Sequence, residues 1–194
     1  MQPEEYGYRA LLVSSSSKFN DTLRPLLTAS GCTAVTVAGS VAAARRSTLE
    51  SRYDFVIVNA PLPDDPGFRF ASEQAAGRET VSLVFVRSEL FEETKSRLTP
   101  AGVFTLPKPT SSAAVSNGLG FMAAAREKLR GLEKKTLTLE EKMEEIRLVN
   151  RAKWLLIDRL KMTEPDAHRY IEKQAMDTCR PKGEIAGEIL RTYG

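Results

Sequence analysis

The sequence predicts an α/β doubly wound, five-stranded parallel sheet, then a long coiled-coil helix that leads into a small three-helix bundle. Two observations carry this prediction. Short apolar runs alternate with helical patterns through the first 120 residues, which is typical of a parallel sheet with both faces covered. From Met122 onward, apolar residues recur in alternating steps of three and four, which is the heptad pattern of a coiled coil.

Five short runs rich in β-branched and apolar residues predict the strands: Arg9–Val13, Thr33–Val37, Phe55–Val58, Val81–Val86 and Val103–Leu106. Between them, Phe19–Ala29 and Val41–Ser47 show helical spacing. Strands separated by helices imply right-handed crossovers, and ligands of such sheets bind at the carboxyl ends of the strands. Residues that directly follow a strand are therefore the first candidates for a functional site.

The heptad seam is a narrow apolar stripe that one helix cannot bury against itself, so it needs a partner. Its main positions are Leu129, Leu132, Leu139, Met143, Ile146 and Asn150, and they follow Met122 and Ala125. We expect a parallel homodimer, but the first half of the helix could instead lie back on the sheet domain of its own chain. Asn150 could fix the register of two parallel strands from a buried position, or be solvated at a splayed end.

Two glycines lie where the sheet domain should pass into this helix. Ala113–Leu119 is expected to be the last helix of the sheet domain. Gly118 and Gly120 each cost about 1 kcal/mol relative to Ala in a helix, so a kink or hinge would be tolerated there.

The C-terminal residues predict the rest of the bundle. The long helix should end at Lys161-Met162, and Thr163 has the features of an N-cap, with Pro165 in the first turn and Asp166 three residues after the cap. The second helix is predicted over Pro165–Thr178, with Ala167, Tyr170, Ile171 and Ala175 buried. Pro181 should open a third helix.

Composition excludes several classes of protein. No apolar run approaches the ~20 residues needed to span a bilayer, and the N-terminal residues do not resemble a secretory signal. Cys32 and Cys179 are far apart and outside any metal-binding pattern, so we expect reduced thiols and a cytoplasmic protein. No phosphate-binding loop, metal constellation or nucleophile–base pair is present, so we expect no enzyme activity, no metal and no cofactor.

The net charge of +3 is unevenly placed. Residues 1–120 contain 12 Lys/Arg and 12 Asp/Glu, whereas residues 121–194 contain 16 and 13. A mild basic excess in the C-terminal part is compatible with nucleic-acid binding and equally with a solvated helix surface.

The third predicted strand and its loop resemble the receiver domain of two-component response regulators. Tyr53–Asn59 is followed by Ala60–Gly67, and Pro63 and Gly67 stand where that family has its Pro and Gly. Lys108-Pro109 after the fifth strand resembles the receiver Lys-Pro, which often has a cis bond. The resemblance covers residues 7–118 and implies a receiver-like, flavodoxin-like fold.

The residues that carry receiver chemistry differ here. Asn59 occupies the place of the phosphorylated Asp, and Ser14 and Ser15 replace the acidic pair that holds Mg²⁺. The hydroxyl residue expected after the fourth strand falls near Val86 or Arg87, and of the set only Lys108 remains. Asp64 and Asp65 are interpreted as turn formers in a solvated loop. We therefore predict a pseudo-receiver domain that accepts no phosphate by the usual route.

Three C-terminal segments resemble the ANTAR domain: Arg151–Leu156, Thr163–Asp177 and Ile185–Leu190. The match covers residues 139–192, and Trp154 stands where that family usually has Gly. The resemblance implies RNA binding and transcription antitermination, in which a dimer holds hairpins of a nascent leader transcript and so blocks an intrinsic terminator. The predicted domains are a pseudo-receiver at 1–118, a coiled-coil linker helix at 119–138 and an ANTAR-like domain at 139–194.

The candidate RNA contacts are the basic and amide side chains of this domain: Lys153, Arg169, Lys173, Gln174, Arg180 and Lys182. Helical spacing places Arg169, Lys173 and Arg180 on one face. Tyr170, Trp154 and His168 could stack on bases, although Tyr170 and Trp154 fit the core of the bundle better.

Two other functions remain open from the sequence. A helix-turn-helix DNA binder needs a recognition helix with base-reading side chains, whereas Glu184–Leu190 carries acids and aliphatics. A regulator that only contacts proteins, such as a sensor partner of the pseudo-receiver, is the second alternative. The expected partners are thus RNA hairpins, a second copy of the chain and a signalling protein, with no membrane.

Overall fold

The structure, a computed structural model, describes residues 7–77 and 79–194. The chain divides into two compact units, Met1–Leu132 and Glu133–Gly194. We call them the sheet unit and the helical unit and describe each by itself.

The sheet unit contains five strands. They are β1 (Tyr8–Val13), β2 (Cys32–Ala38), β3 (Phe55–Asn59), β4 (Val81–Arg87) and β5 (Phe104–Lys108). They pair in parallel in the order β2-β1-β3-β4-β5, so the predicted doubly wound sheet is confirmed. Each strand begins and ends within about two residues of its predicted bounds, as expected for boundaries taken from sequence.

Helices connect the strands. They are α1 (Ser17–Ala29), α2 (Val41–Glu50), α3 (Phe68–Ala76) and α4 (Phe91–Leu98), with short 3₁₀ turns at Ser88–Leu90 and Thr99–Ala101. The hydroxyls of Ser16 and Ser40 accept hydrogen bonds from N–H groups of the first turns of α1 and α2, which fixes where these helices begin. The helices α3 and α4 lack a local sequence signal, because neither begins with a side-chain cap.

Alternate residues of each central strand bury opposite faces of the sheet. Leu11 and Val13 of β1 pack with α2 and α3, whereas Ala10 and Leu12 pack with α1. A parallel sheet buried on both faces accounts for the continuous apolar runs.

A single helix, α5 (Ser112–Leu160), follows β5 and runs through Gly118 and Gly120. Within the sheet unit, Val115, Leu119 and Met122 are buried in the same core face as α1. The last helix of the sheet unit is therefore the beginning of α5 and not the separate helix, Ala113–Leu119, that the sequence suggested.

A partly buried network of ion pairs joins this part of α5 to the strands. Asp54 Oδ1 accepts hydrogen bonds of 2.8 Å from Arg126 Nε and Arg130 Nη2, and Oδ2 accepts one of 2.9 Å from the N–H of Arg9. Burial alone would raise the pKa of Asp54, but these hydrogen bonds and the two guanidinium charges lower it overall. Asp54 is therefore ionised at neutral pH and pairs with two arginines of α5.

The helical unit combines the end of α5 with α6 (Glu164–Thr178) and α7 (Lys182–Tyr193). Its core consists of Ala152, Leu156, Ala167, Ile171, Ala175, Ile185, Ala186 and Ile189. Thr163 caps α6 by accepting from the N–H of Asp166, as predicted. Across the described ranges, no helix is both long and apolar enough to cross a membrane.

Candidate functional site

The carboxyl ends of three strands bring Ser14, Asn59 and Lys108 together. Asn59 Nδ2 donates to Ser14 Oγ at 3.1 Å, and Lys108 Nζ donates to Asn59 Oδ1 and to the carbonyl oxygen of Ala60 at 2.5 Å each. Ser14 and Asn59 are buried. Ser15, the fourth residue predicted here, is exposed, so three of the four predicted residues form one network.

This strand-end network consists of neutral acceptors and one cation. Burial lowers the pKa of Lys108, and the nearby charge of Arg87, its neighbour in the register of β4 and β5, lowers it further. Mg²⁺ prefers carboxylate oxygens, which none of Ser14, Asn59 and Lys108 supplies. The Lys108-Pro109 peptide bond is cis, as the receiver resemblance implies.

The two acids of the loop after β3 have other partners. Asp64 accepts hydrogen bonds from the N–H groups of Ala42 and Val41, at 2.9 and 3.0 Å, and these bonds lower its pKa. Its carboxylate thus satisfies the N-terminus of α2. Asp65 Oδ1 accepts from the N–H of Gly67 at 2.6 Å. Asp65 is a turn former as predicted, whereas Asp64 does more than that because it caps a helix.

The predicted dimer seam lies in two environments. Met122 is fully buried and Leu129 packs against the same core of the sheet unit. The start of the seam therefore packs within its own chain, which is the alternative left open by the sequence. Further along α5, Leu139, Met143 and Ile146 are 61%, 55% and 60% exposed. Leu132 is half-exposed and Asn150 is exposed.

Three of the predicted RNA-binding cations, Lys153, Arg180 and Lys182, form ion pairs within the helical unit. Lys153 pairs with Glu164 at 2.7 Å and Lys182 with Glu172 at 2.6 Å. Lys153 and Lys182 line one cleft of about 430 Å³ together with His168. These pairs lower the pKa of both glutamates.

Arg180 does not share a face with Arg169 and Lys173. The helix α6 ends at Thr178, and Cys179 has a left-handed backbone, so helical spacing no longer applies at Arg180. The Arg180 guanidinium instead pairs with Glu188 at 2.7 Å and with Glu184 at 3.0 Å, both on α7.

Arg169 and Lys173 are the cations of the predicted set with no carboxylate contact shorter than 3.9 Å in the part of the chain that the structure describes. Both are exposed and lie one turn apart on α6. The nearest contact of Arg169 to a carboxylate is 3.9 Å, to Asp166, and Lys173 has no ion pair within the part of the chain that the structure describes. Gln174, next to them, is half-buried.

The interpretation of Trp154 as a core residue is wrong, because its side chain is 71% exposed. Tyr170 packs against the core of the helical unit, as predicted. Trp154 lines an open cleft with Arg151 and Lys161, two cations outside the set predicted from the sequence. Arg151 and Lys161 lie near Trp154 in the sequence, which stands where the ANTAR family usually has Gly. This unusual aromatic residue is the signal by which both cations could have been predicted as candidate RNA contacts.

Comparison with known proteins follows the same division of the chain. The family model for the ANTAR domain matches residues 137–190. The transcriptional regulatory protein PdtaR of Mycobacterium tuberculosis is 32% identical over 145 residues, which are 73% of this chain and 69% of PdtaR. The chain belongs to the PdtaR family. As a PdtaR-family protein with an ANTAR domain, it is an ANTAR-type RNA-binding regulator.

Solved structures match the receiver-like part of this PdtaR-family chain. The chemotaxis response regulator CheY4 of Vibrio cholerae has a TM-score of 0.52 at 20% identity, covering 60% of this chain and 98% of its own. A structure described as adenylate cyclase from Rhodopirellula baltica has a TM-score of 0.58 at 18% identity, covering 69% and 98%. At such identities the likeness to these solved structures shows the fold alone. The receiver-like fold and the ANTAR domain that the sequence suggested are both confirmed.

Proposed function

We propose that this protein is a dimeric antitermination regulator that binds hairpins in a nascent leader transcript and so prevents an intrinsic terminator from forming. The observation that carries the proposal is the ANTAR match, because residues 137–190 include the buried core of the three-helix unit. We propose the domain boundaries that were predicted from the sequence: a pseudo-receiver at 1–118, a linker helix at 119–138 and an ANTAR-like domain at 139–194.

Exposed cations and an exposed aromatic ring support RNA as the ligand. Arg169 and Lys173 can reach phosphates, and Trp154 offers a face on which an unpaired loop base can stack. Lys153, Arg180 and Lys182 can contribute once RNA phosphates replace their carboxylate partners. We therefore expect first contact at Arg169 and Lys173.

The exposed apolar stripe of the helical unit supports the dimer. Leu139, Met143 and Ile146 are each more than half exposed and have heptad spacing. In a parallel coiled coil these side chains would be buried against their copies, and each dimer would present two ANTAR domains. Asn150 follows at the next seam position and would set the register.

The strand-end network supports control by a route other than phosphorylation. An amide such as that of Asn59 is not a phosphoryl nucleophile, and here both of its ends already take part in hydrogen bonds to Ser14 and Lys108. We expect a signalling protein to be a partner of the sheet unit.

RNA binding is tested by fluorescence anisotropy with a tandem-hairpin RNA, the same RNA with changed loops, and duplex DNA. We expect loop-sensitive binding to the hairpin RNA. Lys173→Ala should weaken it several-fold and reduce the slope of log affinity against log salt by about one unit, because one phosphate contact is lost. The matched control is Lys128→Ala, an exposed lysine of the sheet unit. Prior treatment with acetyl phosphate and Mg²⁺ should leave the affinity unchanged.

Each other outcome favours a different function. Equal binding to intact and changed loops contradicts hairpin recognition. A preference for duplex DNA favours the helix-turn-helix alternative. Binding to none of the nucleic acids favours a regulator that contacts only proteins, and an affinity altered by acetyl phosphate contradicts the loss of the phosphorylation switch.

A further inference from the structure

A cavity of about 320 Å³ lies in the sheet unit between α1 and the beginning of α5. Its apolar wall is formed by Phe19, Leu23, Leu26, Phe85 and Val115. The cavity adjoins the carboxyl end of β5, because Lys108, the last residue of that strand, and Pro109 also line it. Its size is at the lower end of the range of small-molecule sites.

The charged residues that line the cavity are both cations. Two cations, Lys18 and Lys108, line it, together with the hydroxyl residues Ser16, Thr22, Thr110 and Ser112. None of the lining residues is acidic. A neutral apolar ligand would leave this excess of positive charge unused, whereas a ligand with one negative group would complement it.

The ammonium group of Lys108 has an N–H donor beyond the two that its hydrogen bonds to Asn59 and Ala60 use. An ammonium group has three N–H donors, and two of those of Lys108 are directed to Asn59 Oδ1 and the carbonyl oxygen of Ala60. Both acceptors are neutral, and within residues 7–77 and 79–194 no carboxylate pairs with Lys108. A partly buried cation without a counter-charge is costly, so a bound anion would stabilise it.

We propose that the cavity between α1 and α5 binds a small amphipathic anion whose apolar body contacts Phe19, Leu23 and Leu26 and whose carboxylate accepts a hydrogen bond from Lys108. This inference concerns the sheet unit and goes beyond RNA binding. The occupant is small, because the cavity could not enclose a larger ligand, and it carries one negative charge at one end.

The test is isothermal titration calorimetry of the full chain with 4-phenylbutyrate and with its neutral amide, 4-phenylbutyramide. The two probes have nearly the same shape and differ in charge. We expect the carboxylate to bind at about one molecule per chain and at least about tenfold more tightly than the amide, since a hydrogen bond to a charged group is lost with the amide. No RNA is present, so failure here is separate from failure of the RNA proposal.

Three variants locate the site. Lys108→Met keeps the apolar stem and should abolish the preference for the carboxylate. Thr22→Trp, at an exposed lining position, should fill the cavity and abolish binding of both probes. Lys95→Met, at an exposed lysine of α4, is the control and should bind both probes as the unchanged protein does.

Several results would overturn the proposal. These are absence of binding by either probe, equal affinity for acid and amide, a carboxylate preference that persists in Lys108→Met, and binding that survives in Thr22→Trp. Circular dichroism establishes that each variant is folded. If Lys108→Met does not fold, the comparison of the two probes and the Thr22→Trp variant still decide the outcome.

Discussion

The two parts of α5 share a heptad spacing but have different surroundings. In the part that belongs to the sheet unit, Met122 is completely buried and Leu129 packs against the same core. In the part that belongs to the helical unit, Met143 and Ile146 are more than half exposed. The apolar side chains at the heptad positions are thus buried within the chain in the first part of α5 and accessible to a partner in the second part.

This difference shows that a heptad stripe indicates a partner surface without identifying the partner. Polar residues beside the stripe distinguish the two cases. Arg126 and Arg130 lie one turn apart on α5 and pair with Asp54, next to β3, which holds the first part against its own sheet. In the second part, Arg147 pairs with Glu144 of the same helix.

The largest expected effect comes from truncating matched methionines in the two parts. Met122→Ala should lower the free energy of unfolding of the sheet unit by about 2–5 kcal/mol, because it leaves a cavity in a closed core. Met143→Ala should change that free energy by less than about 0.5 kcal/mol, as for other surface positions, and instead weaken self-association. Hydrogen exchange of the strand amides measures the first effect and sedimentation equilibrium the second.

Two results would contradict the difference between the two parts of α5. If Met143→Ala destabilised the sheet unit as much as Met122→Ala does, the two parts of α5 would not be energetically distinct. Unchanged sedimentation of Met143→Ala, with the parent protein dimeric, would place the dimer contact elsewhere.

Asp54→Asn tests the polar contact that fixes the first part of α5. The change should destabilise the sheet unit by about 2–4 kcal/mol at pH 7, because it removes the carboxylate that pairs with the side chains of Arg126 and Arg130. The folded-state pKa of Asp54 is lowered, so its contribution is complete above the unfolded pKa of about 4 and is lost as the pH falls through the folded pKa.

The difference in stability between the parent and Asp54→Asn should therefore shrink below about pH 4, as measured by hydrogen exchange at a series of pH values. Asp21→Asn, at an exposed acid of α1, serves as the control and should have little effect. A difference that stayed constant down to acidic pH would argue against an ionised Asp54 in the network.

The smallest effect concerns the glycines in the first part of α5. Outside its own turn of α5, a Cβ at Gly120 would meet no described atom within 4 Å, so Gly120→Ala should stabilise the sheet unit by about 0.5–1 kcal/mol. At Gly118 a Cβ would lie 3.2 Å from Leu106 Cδ1, so Gly118→Ala should gain less. Equal gains from the two changes, measured by the same exchange experiment, would show that packing against β5 does not restrict this turn.

Much of the fold could be predicted because buried parallel strands have a strong local signal. The apolar runs around Phe55 and Val84 are continuous, and Thr163 begins α6 with a recognisable cap. The helices α3 and α4 were not assigned because they are short and begin without side-chain caps. Their stability depends on tertiary packing, which local sequence does not encode.

The candidate sites were predicted less completely, because they depend on long-range contacts. The strand order of the receiver-like sheet brings Ser14, Asn59 and Lys108 together, as expected from their positions at or directly after the ends of strands. The partners of Arg180 could not be foreseen, because they depend on a left-handed residue, Cys179, that ends α6. The exposure of Trp154 depends on which side of α5 the other two helices pack against.

The absence of acidic residues in the strand-end network has an electrostatic consequence. In a receiver with its acidic set, the carboxyl edge of the sheet concentrates divalent cations. Here the charged side chain of the network is the cation Lys108, and the positive charge of Arg87 lies near it. Ser14 and Asn59 therefore leave the network without the carboxylates that Mg²⁺ prefers, and its net charge is positive.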